Sequence, residues 1–136
     1  MNLTQNFTLE EFEYSNTAIE NNIINKANNE VVYNLKELCN NLLEPLRDKL
    51  NKPIIVTSGY RCFELNKIVG GVSKSQHLEG KAADIIVKDL STEDLFHFIK
   101  NNFKFDQLII EHIKGKNWVH VSWDGANNRN NSLRIG

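Results

Sequence analysis

The feature that most constrains the fold is a change of hydrophobic period partway along the chain. From Glu30 to Leu50, apolar residues fall at Val32, Leu35, Leu38, Cys39, Leu42, Leu43, Leu46 and Leu50, the three-and-four spacing of one buried helical face. From Pro53 onward the apolar runs are short and strand-like: Pro53-Ile54-Ile55-Val56-Thr57, Ala82 to Val87, Gln107 to Glu111, and Trp118 to Trp123. Helices first and strands later, without strict βαβ alternation, predict an α+β fold in which N-terminal helices pack on a mostly antiparallel sheet. A chain of 136 residues fits one domain, 1–136, with a core at about 7–123 and a polar tail, 124–136, expected to be loosely held. With 40% hydrophobic residues, such a chain can build a core without disulfide staples.

Local signals refine this outline. Thr8-Leu9-Glu10-Glu11 has the spacing of a capping box and predicts a short helix through Phe12. Pro45 removes a backbone donor from the long helix and predicts a kink or break near Leu43. Asn66 to Gly80 reads as loop around Gly70-Gly71, and Ser91-Thr92-Glu93-Asp94 opens a helix with Leu95, Phe98 and Ile99 on its apolar side. Lys114-Gly115 is the turn that joins the last two strands. The many paired asparagines, among them Asn28-Asn29 and Asn130-Asn131, are read as compositional bias without chemistry.

Charge excludes some functions. Sixteen Lys+Arg against seventeen Asp+Glu leave a net charge of -1, so no global field gathers nucleic acid or anionic lipid. Cys39 and Cys62 are too few and too far apart for a thiolate zinc site and are expected as free thiols. Met1 to Phe7 has neither the basic nor the apolar segment of a signal peptide, and no apolar run reaches the roughly 18 residues of a membrane span. A soluble monomer made in the cytoplasm is expected.

The chemistry concentrates in Ser75 to Asp84 and Trp118 to Ser122. Gly80 permits a turn that lets His77 fold back toward Asp84. Alternation puts Asp84 with Ala82 and Ile86, an otherwise apolar face on which an unpaired carboxylate is costly. A turn at Lys114-Gly115 pairs Ile113 with Lys116, Glu111 with Trp118, and Ile109 with His120, so Glu111 and His120 project from one face at diagonal positions. Two histidines and one aspartate are the three protein ligands of a catalytic zinc that keeps a fourth position for water. Glu111 is then the carboxylate placed to take a proton from that water, and Arg61, at a strand end, is the cation for an oxyanion. The plainer alternatives are unrelated polar residues, a structural ion pair at Arg61 and a strand-edge acid at Glu111. His97 is expected in solvent, His112 on the side opposite Glu111, and Asp106 and Gln107 at the start of a strand rather than on substrate.

Ser58-Gly59-Tyr60-Arg61, Leu65-Asn66, Val69-Gly70-Gly71, Ser75 to His77 with Gly80, Ala82 and Asp84, then Asp106-Gln107, Glu111 and Trp118-Val119-His120-Val121-Ser122 together resemble the zinc peptidases of the M15 group. These include D-Ala-D-Ala carboxypeptidases and phage endolysins that cut cell-wall peptides. The resemblance runs from about Phe7 to Trp123, includes Leu43-Glu44-Pro45-Leu46-Arg47, and is closest to the compact phage-like branch. It implies a Hedgehog/DD-peptidase-like fold and one zinc ion on His77, Asp84 and His120. It also implies Arg61 as a catalytic residue and Ser75 at the edge of the site, and together with the hairpin register it points to Glu111 as the second catalytic residue; Tyr60 and Trp118 are expected as core or cleft-wall aromatics and are candidates for substrate binding. One position departs from the pattern: some members carry the catalytic glutamate three residues before the last histidine, where this chain has Asn117, which cannot act as a base. The implied function is hydrolysis of peptidoglycan stem peptides at the cell wall after release. The rivals are a non-catalytic zinc-containing module of a phage particle and a zinc-stabilised domain of the Hedgehog type.

Overall fold

The computed structural model describes residues 1–136. The N-terminal half is helical: α1 (Leu9–Glu13), α2 (Asn16–Glu20), α3 (Asn29–Leu38) and α4 (Glu44–Leu50). The expected capping box starts α1, with the Thr8 hydroxyl accepting from the Glu11 amide and the Glu11 carboxylate accepting from the Thr8 amide. Pro45 does not break the long helix. Cys39–Leu43 forms a π turn that runs directly into α4, and the Glu44 amide reaches back to the Cys39 carbonyl. The widened turn relieves the clash that a proline ring makes with the carbonyl four residues earlier. The Glu44 carboxylate also tethers the N-terminal segment, accepting from Thr4 Oγ1 at 2.8 Å and the Asn6 amide at 2.6 Å.

The second half supplies β1 (Ile55–Ser58), α5 (Phe63–Ile68), a 3-10 turn (Gln76–Glu79), β2 (Ala82–Ile86), α6 (Thr92–Asn102), β3 (Gln107–Ile113), β4 (Lys116–Ser122) and β5 (Asn131–Ile135). Five strands form one sheet in the order β1-β2-β4-β3-β5. The first three pairings are antiparallel, and β5 joins β3 in parallel. The β3–β4 hairpin has the expected register, Ile113 to Lys116, Glu111 to Trp118 and Ile109 to His120. Lys114 (φ 51°) and Gly115 (φ 78°) both take the left-handed conformations that a tight two-residue hairpin turn requires.

Strand alternation divides the sheet into two unlike faces. Ala83, Ile85, Leu108, Ile110, Val119 and Val121 are fully buried and pack in one core with Leu35, Leu38, Leu42 and Leu46 of the long helix and Leu95 and Ile99 of α6. Each fully buried Leu or Ile contributes about 1.5–3 kcal/mol by transfer from water. The opposite face carries Asp84, Ile109, Glu111, Trp118 and His120 and lines a cleft. Asp84 was expected on an otherwise apolar face. Its neighbours across the strands are polar instead, because the apolar half of the alternation belongs to the helix-covered side.

Three further expectations need correction. The stretch 66–80 is not continuous loop, since α5 and the 3-10 turn lie in and against it, and α2 had no recognised signal. The tail is not loose: β5 extends the sheet, the Asn130 amide donates to the Phe105 carbonyl, and Asn130 Oδ1 accepts from the Phe105 amide. An exposed edge strand presents no apolar alternation, so its sequence reads as coil. The asparagines also have structural roles, for Asn28 caps α3. Cys39 and Cys62 are free thiols, and no helix is long and apolar enough to cross a membrane.

Candidate metal centre

His77 is held from three sides. Its amide donates to Ser75 Oγ at 3.2 Å, the cap of the 3-10 turn, and its carbonyl accepts from the Arg61 amide at 3.1 Å. Its ring Nδ1 lies 2.7 Å from the Gly59 carbonyl oxygen. A carbonyl only accepts, so Nδ1 carries the proton and Nε2 presents its lone pair inward. Gly80 ends this turn at φ 75°, and a Cβ there would lie 2.7 Å from Val31 Cγ1, so the turn is pressed onto α3.

Asp84 on β2 and His120 on β4 are register partners. Asp84 Oδ1 is 3.0 Å from His120 Nδ1 and 3.2 Å from His77 Nε2. The possible ligand atoms of His77, Asp84 and His120 all lie within 4.8 Å of one another. Burial pushes the Asp84 carboxyl up, but the two imidazoles, wherever they carry a proton on the nitrogen that faces it, outweigh burial and hold the group well below the usual carboxylate range. Two imidazole nitrogens and an ionised carboxylate converging from three segments are a donor set suited to a divalent transition metal.

Of the remaining expected residues, Arg61, Ser75, Glu111 and Trp118 line the same cleft, of about 820 Å³. Glu111 Oε2 accepts from Trp118 Nε1 at 3.0 Å, which fixes the carboxylate and leaves Oε1 free of protein donors. Arg61 lines the cleft, makes no ion pair, and has a buried Nε without a partner. Burial lowers its guanidinium from the ordinary value, while Asp84 and Glu111 act in the opposite direction. Ser75 lines the cleft, but its hydroxyl is engaged in capping. Tyr60 is the one expected site residue outside the cleft. It packs partly buried against the core, with its amide on the Phe12 carbonyl at 2.8 Å. Alternation after Gly59 turns its ring inward and Arg61 outward.

Asn117 does not line the cleft, and its Oδ1 pairs with His112 Nδ1. His97 sits exposed beside Glu93 at 3.5 Å. Asp106 anchors the start of β3 from a fully buried position, as expected, whereas Gln107 lines the cleft.

Several positioning residues escaped sequence reasoning. Buried Asn25 donates through Nδ2 to the carbonyls of Glu13 and Tyr60, both at 2.9 Å, and accepts the Cys62 amide at 2.8 Å, which brackets Arg61. Buried Asn66 donates to the Val72 carbonyl at 2.9 Å, and its Oδ1 lies where a side chain at Gly71 would go, so it shapes one wall of the cleft. Asn25 had no signal beyond an asparagine beside an apolar run, and Asn66 stood within the Leu65-Asn66 pair of the family resemblance without a role attached.

A protein-family model described as Peptidase M15 matches residues 5–122. No curated protein matches the chain.

Proposed function

The chain belongs to the Peptidase M15 family, and from that premise we propose that it is a zinc-dependent peptidase of peptidoglycan stem peptides, acting as a D,D-carboxypeptidase or an endolysin-type endopeptidase. The observation that carries this reading is the convergence of His77, Asp84 and His120, with Glu111 and Arg61 lining the same cleft. One zinc ion held by those three side chains would supply Lewis acidity, acidifying water and polarising a carbonyl oxygen.

The chain's own groups supply the rest. Glu111, oriented by the Trp118 indole, takes the proton released as hydroxide adds to the scissile carbonyl carbon. Arg61 offers N–H donors to the oxygen that becomes negative. As the C–N bond breaks, Glu111 returns its proton to the leaving amine, and the products are a carboxylate and an amine. Trp118 and Ser75 line the path of the peptide. The single domain spans 1–136, acts as a monomer, and meets its substrate at the cell wall after release.

Digestion of purified peptidoglycan, read by mass spectrometry with and without a chelator, tests the proposal. The expected result is new amino and carboxyl termini in the stem that disappear with chelation and return with zinc. An intact stem would refute the substrate, and chelator-resistant cleavage would refute the metal.

A further inference from the structure

Arg129 lies beyond the residues matched to the family, yet its side chain lines the same cleft. Its guanidinium is held side-on by Asp106, with Nε on Oδ1 and Nη2 on Oδ2, each at 2.8 Å. Asp106 is fully buried and also accepts the Arg129 amide at 3.0 Å and Gln76 Nε2 at 2.8 Å. The guanidinium is therefore fixed although its side chain is 57% exposed. Two of its five N–H groups are engaged, and three remain for a ligand.

Its position follows from the sheet. Asp84, His120 and Ile109 form one row of register partners across β2, β4 and β3, and Asp106 stands three residues before Ile109. At roughly 3.3 Å per residue the backbone of Asp106, which anchors the guanidinium, stands about 10 Å along the strand direction from that row. Glu111 lies on the other side of that row. An anion at Arg129 is thus on the order of two to three residues of extended peptide from the reacting carbonyl.

We propose that Arg129 is a specificity-determining residue that binds a substrate carboxylate two to three residues from the scissile bond. Resting on the peptidase reading above, this assigns it the α-carboxylate of the γ-linked glutamate in the stem. Asp106 largely neutralises the net charge of Arg129, so recognition comes from oriented hydrogen bonds, and the preference for an acid over an amide is about tenfold, the size of one charge-assisted bond.

The test compares L-Ala-γ-D-Glu-L-Lys-D-Ala-D-Ala with the same peptide carrying a carboxamide at the glutamate α-carbon, using wild type, Arg129→Gln and Arg129→Lys. Wild type should favour the acid about tenfold in kcat/KM, Arg129→Gln should favour neither peptide, and Arg129→Lys should retain part of the preference. Both peptides are read on one preparation, so the ratio does not depend on the fraction of a weakened variant that is folded. Equal use of the two peptides by wild type, or an undiminished preference in Arg129→Gln, would overturn the proposal. If wild type cuts neither peptide, the peptidase reading fails on this stem, and equilibrium binding of the same pair to the zinc-loaded protein decides for Arg129: tighter binding of the acid, lost in Arg129→Gln, supports it, and equal binding overturns it.

Discussion

Gly80→Ala is the substitution whose cost follows most directly from the geometry. Gly80 has φ 75° and ψ 22°, a left-handed conformation that costs an L side chain about 1 kcal/mol. The added Cβ would stand 2.7 Å from Val31 Cγ1, 2.8 Å from the Val31 carbonyl oxygen and 3.2 Å from Leu35 Cγ. The carbonyl belongs to the backbone of α3 and cannot turn aside, so overpacking adds about 1–3 kcal/mol. Restricting the unfolded chain returns about 0.4–1 kcal/mol, which leaves a net loss on the order of 1–3 kcal/mol. Gly70→Ala is the matched control, for its φ is 77° but nothing lies within 4 Å of the new Cβ. Urea unfolding of both variants, with slopes of about 1–3 kcal/mol/M, gives the packing cost by difference. Because Gly80 ends the turn that carries His77, competition with a chromogenic chelator should also show weaker zinc binding in Gly80→Ala alone. Equal destabilisation of the two variants would refute the close approach of turn and helix.

His120→Ala should fold but lose stoichiometric zinc, measured by elemental analysis of the purified protein, and full retention would remove it from the ligand set. Glu111→Gln should keep zinc and fold while turnover falls by about 100-fold or more, read in steady-state kinetics on a defined stem peptide. Arg61→Lys keeps the charge but loses the planar fork of donors, so kcat/KM should fall, through kcat if the arginine serves an oxyanion and through KM if it holds a carboxylate. Unchanged kinetics with a lowered Tm would make Arg61 purely structural. Hydrogen bonds from Arg129 outweigh burial and hold the Asp106 carboxyl at about 2, against an ordinary 3.8. A depressed folded value means that this carboxylate stabilises the fold above pH 3.8 and ceases to do so as pH falls through about 2. Asp106→Asn should therefore flatten part of the acid limb of stability in that window, measured by urea midpoints against pH; Asp84, Glu10, Glu44 and Glu93 are shifted in the same sense and keep the rest of the limb in place.

What was legible in the sequence was whatever repeats or alternates. The hairpin register could be read because Lys114-Gly115 fixes the turn and period-two alternation then dictates every pair, including Glu111 with Trp118. Asp84 and His120 stood out as polar residues within otherwise apolar strand patterns, and His77 by its place before the Gly80 turn that folds it back toward Asp84. The bonding roles of Asn25 and Asn66 and the pairing of Asp106 with Arg129 were invisible for a common physical reason. Each acts through single side-chain hydrogen bonds across many residues, from Asn25 to Cys62 and from Asp106 to Arg129, and such bonds leave no period. Tyr60 follows its core alternative rather than the substrate-binding one, because it packs against the core while the next residue, Arg61, lines the cleft.

The row formed by Asp84, His120 and Ile109 carries information that the apolar pattern lacks. If β4 slipped by one residue, Val119 and Val121 would leave the core and the cost would be immediate. A slip by two residues is different, because every apolar side chain would still face the helices. Such a slip would bring Trp118 or Ser122 opposite Asp84 and carry the His120 imidazole about 7 Å from the carboxylate, beyond the reach of a shared ion. The hairpin turn sets β4 against β3, whereas hydrophobic alternation fixes β4 against β2 only modulo two, and an ion shared by Asp84 and His120 would remove that remaining ambiguity. A metal ion here would therefore report strand alignment as well as take part in chemistry, and refolding with and without zinc would separate those two contributions.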